Sequence, residues 1–486
     1  MARPFFAAVL LLPLLVTLAP PSPSARAGEI VPDAHHDLRV VLHPAEHLLE
    51  VVDVVSPRTS PADGEALRFR LNAALTAEAG DAAWVVEAVD GGGEGAPGEE
   101  SGENGGVGVG TWAVRPRDGP WPRPPKIPLR YRGTIHQPPR AEGEDYARSF
   151  ARTAGTIGEE GAVLTRATVW VPDLGEDLLT FRLEVDLPAG WDAVSQGRRT
   201  KHAVEEGRRF TTWESPHPME EVYLIANRFT EYDRPAGRVR AQAFLREPDP
   251  ALAGRYLEAT AQYLALYERL IGPYPFGKFA LVENFWETGY GMPSFTLLGP
   301  QVIRLPFILH SSYPHEILHN WWGNSVYVDW QTGNWCEGLT AYLADHLLRE
   351  GQGRGTEYRR DTLKKYRNHV RGARDFPLTQ FRSRHSGATE AVGYGKSLML
   401  FHMLRRHLGD ETFVRGLRTF YRKHRWTKAS FADLADVFSE VSGEDLHPFF
   451  RQWVERTGAP ALALRARREG KGKVLLEIAQ TQAGDV

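Results

Sequence analysis

The stretch His315-Glu316-Ile317-Leu318-His319-Asn320-Trp321-Trp322-Gly323-Asn324, with Trp335-Cys336-Glu337-Gly338-Leu339-Thr340 behind it, carries the strongest chemical pattern in this chain of 486 residues. His315 and His319 stand four apart, so a helix puts both imidazoles on one face, within reach of a single metal ion. Glu316 lies beside them, placed to act as general base toward a metal-bound water. Ser311 or Ser312 can cap such a helix, and Pro314 is tolerated in its first turn. A tetrahedral catalytic zinc asks for a third protein ligand and one open position. Glu337, with seventeen residues between it and His319, opens a second helical run over 338–349 and can supply that ligand. The alternative for Glu337 is a helix N-terminal carboxylate favoured by the dipole. The alternative for the two histidines is a structural place on a core helix.

Outward from this helix pair, helical periodicity dominates 312–455. Its clearest run begins at a Ser430 cap, carries Phe431, Leu434, Phe438 and Val441, and stops at Gly443. Upstream, Asp249 with Pro250 starts a helix bearing Tyr256, Tyr263, Tyr267 and Leu270, which ends at Gly272-Pro273. A shorter strand-rich passage, 278–303, follows it. From about residue 29 to 240 the pattern is instead short alternating segments parted by Gly, Pro and Asp clusters. Residues 38–42, 66–71, 84–89, 167–171 and 179–185 are the strand candidates there, in an antiparallel β domain. Residues 91–110 hold ten glycines and read as a flexible surface loop. Residues 461–482 read as one hairpin turning at Gly470-Lys471-Gly472.

Lys plus Arg number 58 against 61 Asp plus Glu, so the chain offers nucleic acid no basic footprint. The first 27 residues read as a secretory signal, with Arg3, an apolar run over 5–18 and Ala25-Arg26-Ala27 as cleavage site. That run is short and interrupted by Pro13, and no run of about 18 apolar residues follows. The expectation is therefore a secreted or periplasmic protein without a stable membrane anchor. Cys336 is the single cysteine, so no internal disulfide staples the fold. It reads as a buried, inert thiol beside Glu337. Oligomeric state leaves no signal.

With these residues in view, the sequence resembles the aminopeptidase N family of gluzincin zinc metallopeptidases. The likeness rests on 315–324 and 335–340, on Tyr274-Pro275-Phe276-Gly277-Lys278 before them, and on Gly409-Asp410-Glu411 and 450–458 after them. It implies an α+β multidomain fold, with an N-terminal antiparallel, saddle-like β domain followed by a thermolysin-like, mostly helical catalytic domain. The expected organisation is a signal peptide over 1–27, the β domain over 28–240, the zinc peptidase domain over 241–458 and the start of a C-terminal β segment over 459–486. The resemblance implies one Zn2+ per chain on His315, His319 and Glu337, with Glu316 as the base and peptides as substrates. It makes Tyr394, in Gly393-Tyr394-Gly395-Lys396-Ser397, the donor to the developing oxyanion, where the alternative is a core tyrosine beside Leu398 and Phe401. It makes Gly291 and Met292 the residues that pair with an extended substrate backbone.

Two departures from the family pattern bear on function. The family usually places eighteen residues between the second His and the Glu, and here there are seventeen. The family's Gly-x-Met-Glu-Asn strand grips the substrate's free amine through its Glu, whereas the stretch here is Gly289-Tyr290-Gly291-Met292-Pro293-Ser294. Glu283 and Glu287 are the nearest carboxylates able to replace that anchor, with sheet-end or surface roles as their alternative. The first expectation is an aminopeptidase. The alternatives are an endopeptidase or oligopeptidase lacking free-amine recognition, and then a catalytically silent peptide-binding homologue.

Overall fold

The computed structural model describes residues 32–89, 107–141, 151–175, 178–370 and 374–481. The expected signal segment lies outside the described residues, as does most of the glycine-rich stretch. Its last two residues already belong to the strand Val109–Pro116. The chain divides into two compact units, 1–325 with 425–427, and 326–424 with 428–486.

The first unit is built on sheets. Ala34–His43 alternates inward and outward residues, burying Leu38, Val40 and Leu42, as a half-buried strand must. It sits in a seven-stranded sheet between Leu48–Pro57, its antiparallel hairpin partner, and Leu179–Leu187. The pairing with Leu179–Leu187 is parallel, which the alternation could not disclose, because a long excursion through other strands separates the two. Residues 167–171 are not a strand. Thr165 caps a 3-10 turn over Arg166–Thr168 with a reciprocal Thr168 bond, and Val169 takes a left-handed φ of 50°, so the backbone groups pair locally.

A five-stranded mixed sheet positions the chemistry of this unit. Its order is Thr230–Ala236, Val239–Leu245, Lys278–Glu283, Phe295–Leu298 and, at the edge, Gly289–Met292. Val239–Leu245 therefore runs across residues 240 and 241, where a domain boundary was expected. Its parallel pairing with Lys278–Glu283 needs a crossover, and the helix Pro250–Leu270 supplies it. That helix begins as the sequence predicts, with the Asp249 carboxylate accepting from Leu252 N at 2.8 Å. Trp213, Val282, Met292, Phe295 and Leu297 belong to the apolar core on one face of this sheet.

The second unit is mainly helical. A continuous helical run holds Cys336–Ala341, a π-turn over Tyr342–His346, and Leu347–Gly351. A second π-turn, Ala391–Lys396, leads into the helix Ser397–Leu408. Phe431–Ser442 has its expected ends, a reciprocal Ser430–Asp433 capping box and Gly443 at a φ of 78°. Leu462–Arg468 and Val474–Gln480 pair with each other and, among the described strands, with no third one. Leu462, Leu464, Leu476 and Ile478 of this hairpin are exposed. No helix among the described residues is long and apolar enough to cross a membrane.

A buried polar cluster ties the first helical run to its neighbours. Arg359 donates to His346 Nε2 at 2.8 Å, so this fully buried imidazole must accept there and is neutral. Tyr342 stacks on it at 5.0 Å and its hydroxyl lies 3.2 Å from His402 Nδ1. Burial pushes both imidazoles down to about 4, helped at His402 by the Arg359 charge. Below pH 6.5 the unfolded chain takes up protons that the folded one refuses until about pH 4. Stability is then lost as pH falls through that window. Urea unfolding followed from pH 7 to 4 should show the loss, and His402→Gln should flatten it. An equally steep profile in the variant would remove His402 from the account.

Candidate metal centre

In the first unit, the helix Ser312–Leu318 presents the two histidines as the spacing predicts. His319 N donates to His315 O at 3.1 Å, and the two ring centroids lie 4.8 Å apart. Tyr313, Pro314, Ile317, Leu318 and Asn320 are buried, while His315, Glu316 and His319 are half-buried, so the chemical stripe faces outward. Ser311 stands at the N-cap, but its hydroxyl bonds back to Phe307 O rather than capping the helix. His319 Nδ1 is 3.1 Å from the Trp322 carbonyl, which can only accept. The proton therefore sits on Nδ1, and Nε2 keeps the lone pair that a metal needs.

The edge strand Gly289–Met292 comes up against this helix. A Cβ built on Gly291 would collide with Glu316 Oε2 and sit 3.4 Å from His319, so the absent side chain is what lets strand and carboxylate touch. The Met292 side chain is buried in the apolar core.

A polar network holds that strand in register, and nothing in the spacing of the motifs pointed to it. Asn320 Oδ1 accepts from Ser294 N at 2.7 Å and from Tyr274 OH at 3.1 Å, while its Nδ2 donates to Ile317 O at 2.9 Å. Ser294 holds a left-handed φ of 67°, uncommon outside glycine. Lys278 Nζ donates to Ser294 O and Oγ at 3.1 and 2.9 Å and lies about 5 Å from the ring centres of Trp213 and Phe295. Burial, helped by the Arg199 charge, drives the Lys278 ammonium well below its ordinary value.

Neither glutamate offered as a replacement amine anchor is available for that task. Glu283 is buried, accepting from Arg246 N at 2.8 Å and from Arg304 at 2.7 Å. Glu287 accepts from Gln301 N at 2.9 Å and Val302 N at 3.3 Å. Both carboxylates serve the turns and strand ends around them.

In the second unit, Glu337 lies in the first turn of Cys336–Ala341, whose Cys336 N donates to the Asn334 side chain at 3.0 Å. Cys336 is buried, with Thr340 Oγ1 3.8 Å from its sulfur. A Cβ on Gly338 would strike Ser397, so glycine brings this helix close to Ser397–Leu408. Tyr394 is the half-buried residue in a π-turn whose other members are buried. Phe381 meets its ring edge-on at 6.0 Å, and the Arg384 guanidinium carbon lies 5.7 Å from its ring centre.

Comparison with known proteins gives a consistent setting. Residues 310–453 match the Peptidase family M1 domain. The chain is 25% identical over 344 residues to an Alanine/arginine aminopeptidase of Saccharomyces cerevisiae, covering 64% of this chain and 37% of that protein. It is 30% identical over 165 residues to an Aminopeptidase N of Lactococcus lactis, covering 31% and 19%. The chain thus spans well under half the length of these curated relatives. An M1 zinc metallopeptidase from Deinococcus radiodurans shares the fold, with a TM-score of 0.65, 20% identity and coverage of 88% of this chain and 94% of that one.

The Lys278 environment carries its own test. A depressed ammonium binds fewer protons folded than unfolded, so it makes stability rise with pH from the lowered value up to about 10.5. Lys278→Met keeps the aliphatic packing and removes the charge. Its stability–pH curve should lose that rise in urea unfolding between pH 7 and 10. A variant curve parallel to the parent would show that Lys278 is not the titrating group.

Proposed function

The chain belongs to peptidase family M1, the aminopeptidase N family of gluzincins, and on that premise we propose that it is a zinc-dependent metallopeptidase, an aminopeptidase first of all. The observation that carries the reading is the contact of a peptide-ready edge strand with a carboxylate. Gly291 abuts Glu316, on the same helix that presents His315 and His319.

The residues suit zinc. Two imidazoles one turn apart, one with its Nδ1 proton fixed on Trp322 O, form a nitrogen donor pair of the kind zinc takes. Glu337 completes the proposed set of His315, His319 and Glu337. When bound there, zinc supplies a Lewis acid that polarises the scissile carbonyl and eases deprotonation of water. Glu316 accepts the attacking water's proton and passes it to the leaving amine. Tyr394 donates its hydroxyl to the developing oxyanion, an interaction stronger in the transition state than in the ground state. An extended peptide adds to the edge strand through the backbone of Gly291 and Met292. Pro293 has no N–H, so this pairing ends there.

The metal and the base are tested together. His315→Ala should lose zinc, measured by atomic absorption. Glu316→Gln should keep the metal while peptide turnover falls about 10²–10⁴-fold, the usual worth of a positioned base. Normal turnover in Glu316→Gln would remove it from the mechanism.

A second reading, cleavage without amine recognition, is favoured by Pro293 and by the engagement of Glu283 and Glu287 elsewhere. One peptide assayed with a free and an N-acetylated amine decides between them. An aminopeptidase loses most of its rate on acetylation, whereas equal rates establish an endopeptidase or oligopeptidase. Zinc bound with no turnover of either form would mark a silent peptide-binding homologue.

A further inference from the structure

We propose that Asp192, His202 and Glu231 form a second metal site, which takes zinc and joins three sheets of the first unit. It shares no residue with the set of His315, His319 and Glu337 and does not depend on the peptidase reading.

Each of the three side chains comes from the outermost strand of a different sheet. Asp192–Val194 ends the four-stranded sheet, Arg198–Glu205 the seven-stranded one and Thr230–Ala236 the five-stranded one. One ligand atom from each, an imidazole nitrogen and two carboxylate oxygens, lies within 4.8 Å of the other two. Asp192 is 7% exposed, whereas the His202 side chain is 29% exposed, so an ion can enter from the His202 side.

Both carboxylates are oriented by groups outside the cluster, as the ligands of a metal usually are. Asp192 Oδ1 accepts from Ala193 N at 2.8 Å and from the Thr211 hydroxyl at 3.0 Å. That leaves Oδ2 to His202 Nε2, 2.5 Å away. Burial works against the Asp192 charge, but the His202, Ala193 and Thr211 bonds outweigh it and hold the carboxyl below its ordinary range, hence ionised. Glu231 Oε1 accepts from Arg199 and from Gln242, both at 2.8 Å, while Oε2 accepts one bond from Arg199 at 2.9 Å. An ionised carboxylate has about four lone-pair positions, so Oε2 keeps one for a metal. The Arg199 guanidinium sits 5.7 Å from the Trp213 ring centre and 6.0 Å from that of Phe244. It steadies Glu231 from that side, and its charge makes Glu231 the weakest of the three ligands.

One imidazole with two carboxylates suits zinc better than calcium or magnesium, which take oxygen alone. With bonds of about 2.1 Å, tetrahedral zinc sets its ligand atoms about 3.4 Å apart, so Nε2 and Oδ2 must part by about 0.9 Å. The partly exposed His202 side chain can make that shift. Zinc replaces the proton between Nε2 and Oδ2, and the neutral imidazole then carries its proton on Nδ1. Water fills the fourth position.

The test uses the full chain carrying His315→Ala, which disables the first proposed centre. The protein is stripped with EDTA and titrated with zinc chloride by calorimetry. One zinc should bind, and it should raise the thermal unfolding midpoint. Adding His202→Ala, or instead Asp192→Asn, which keeps the side-chain shape, should weaken that binding at least about tenfold and remove the thermal shift. Even the outer partners of a metal are worth about 10–100-fold in affinity. No zinc binding by the His315→Ala chain overturns the inference. Equal binding with and without His202→Ala also overturns it, because the ion then sits elsewhere. Peptide turnover by the unsubstituted chain is read separately, so either result leaves the peptidase reading standing.

Discussion

The side-chain amide of Asn320 is the constraint on which the arrangement around the histidine helix depends. It follows His319 directly and uses both ends. Its oxygen accepts from the Ser294 backbone and the Tyr274 hydroxyl, and its nitrogen donates to carbonyls of the histidine helix. Only an amide offers two donors and a doubly accepting oxygen in this shape. An aspartate would lose the donors, and a leucine would leave Ser294 N buried without a partner, which costs about 1–3 kcal/mol. Through this single group the helix, the edge strand and the Tyr274 turn hold one geometry. Lys278 braces the same serine from the sheet side.

Glycine does similar work where elements must close on each other. Gly291 admits Glu316, Gly338 admits Ser397, and Gly393 admits the Phe381 ring. In each case the missing Cβ lets two elements close on each other at, or one residue from, position 316, 337 or 394. Interiors packed to crystal-like density leave no slack to absorb even one methyl group.

Much of this could be read in the sequence, because the decisive signals were local. The histidine pair declares itself through a four-residue spacing, and the Asp249 and Ser430 caps through side chains that satisfy backbone donors three residues on. The mixed fold followed from alternating strands giving way to helical periodicity. What stayed hidden depends on distant partners. The parallel union of Ala34–His43 with Leu179–Leu187 leaves no mark on either strand's alternation. Residues 167–171 have a strand-like composition that a local capping box overrides. Glu283 and Glu287 looked available until Arg304, Arg246 N and the Gln301 turn were seen to occupy them. Lys278 stands in the sequence only as the end of a family-like stretch, and its burial against aromatic rings shows only in the structure.

The π-turns at Tyr342–His346 and Ala391–Lys396 also limit how this chain can change by insertion and deletion. A π-turn is an α-helix carrying one extra residue. Losing that residue would restore regular α geometry and swing everything beyond it by about 100° around the helix axis. After the first turn this would carry His346 and Leu347–Gly351 away from Arg359, Tyr342 and His402. In the second turn it would re-aim Tyr394 relative to Ser397–Leu408. A one-residue gap is nearly free in a surface loop. Within these two segments it would be a change of register, so descendants of this chain can vary the residue types there far more readily than the count.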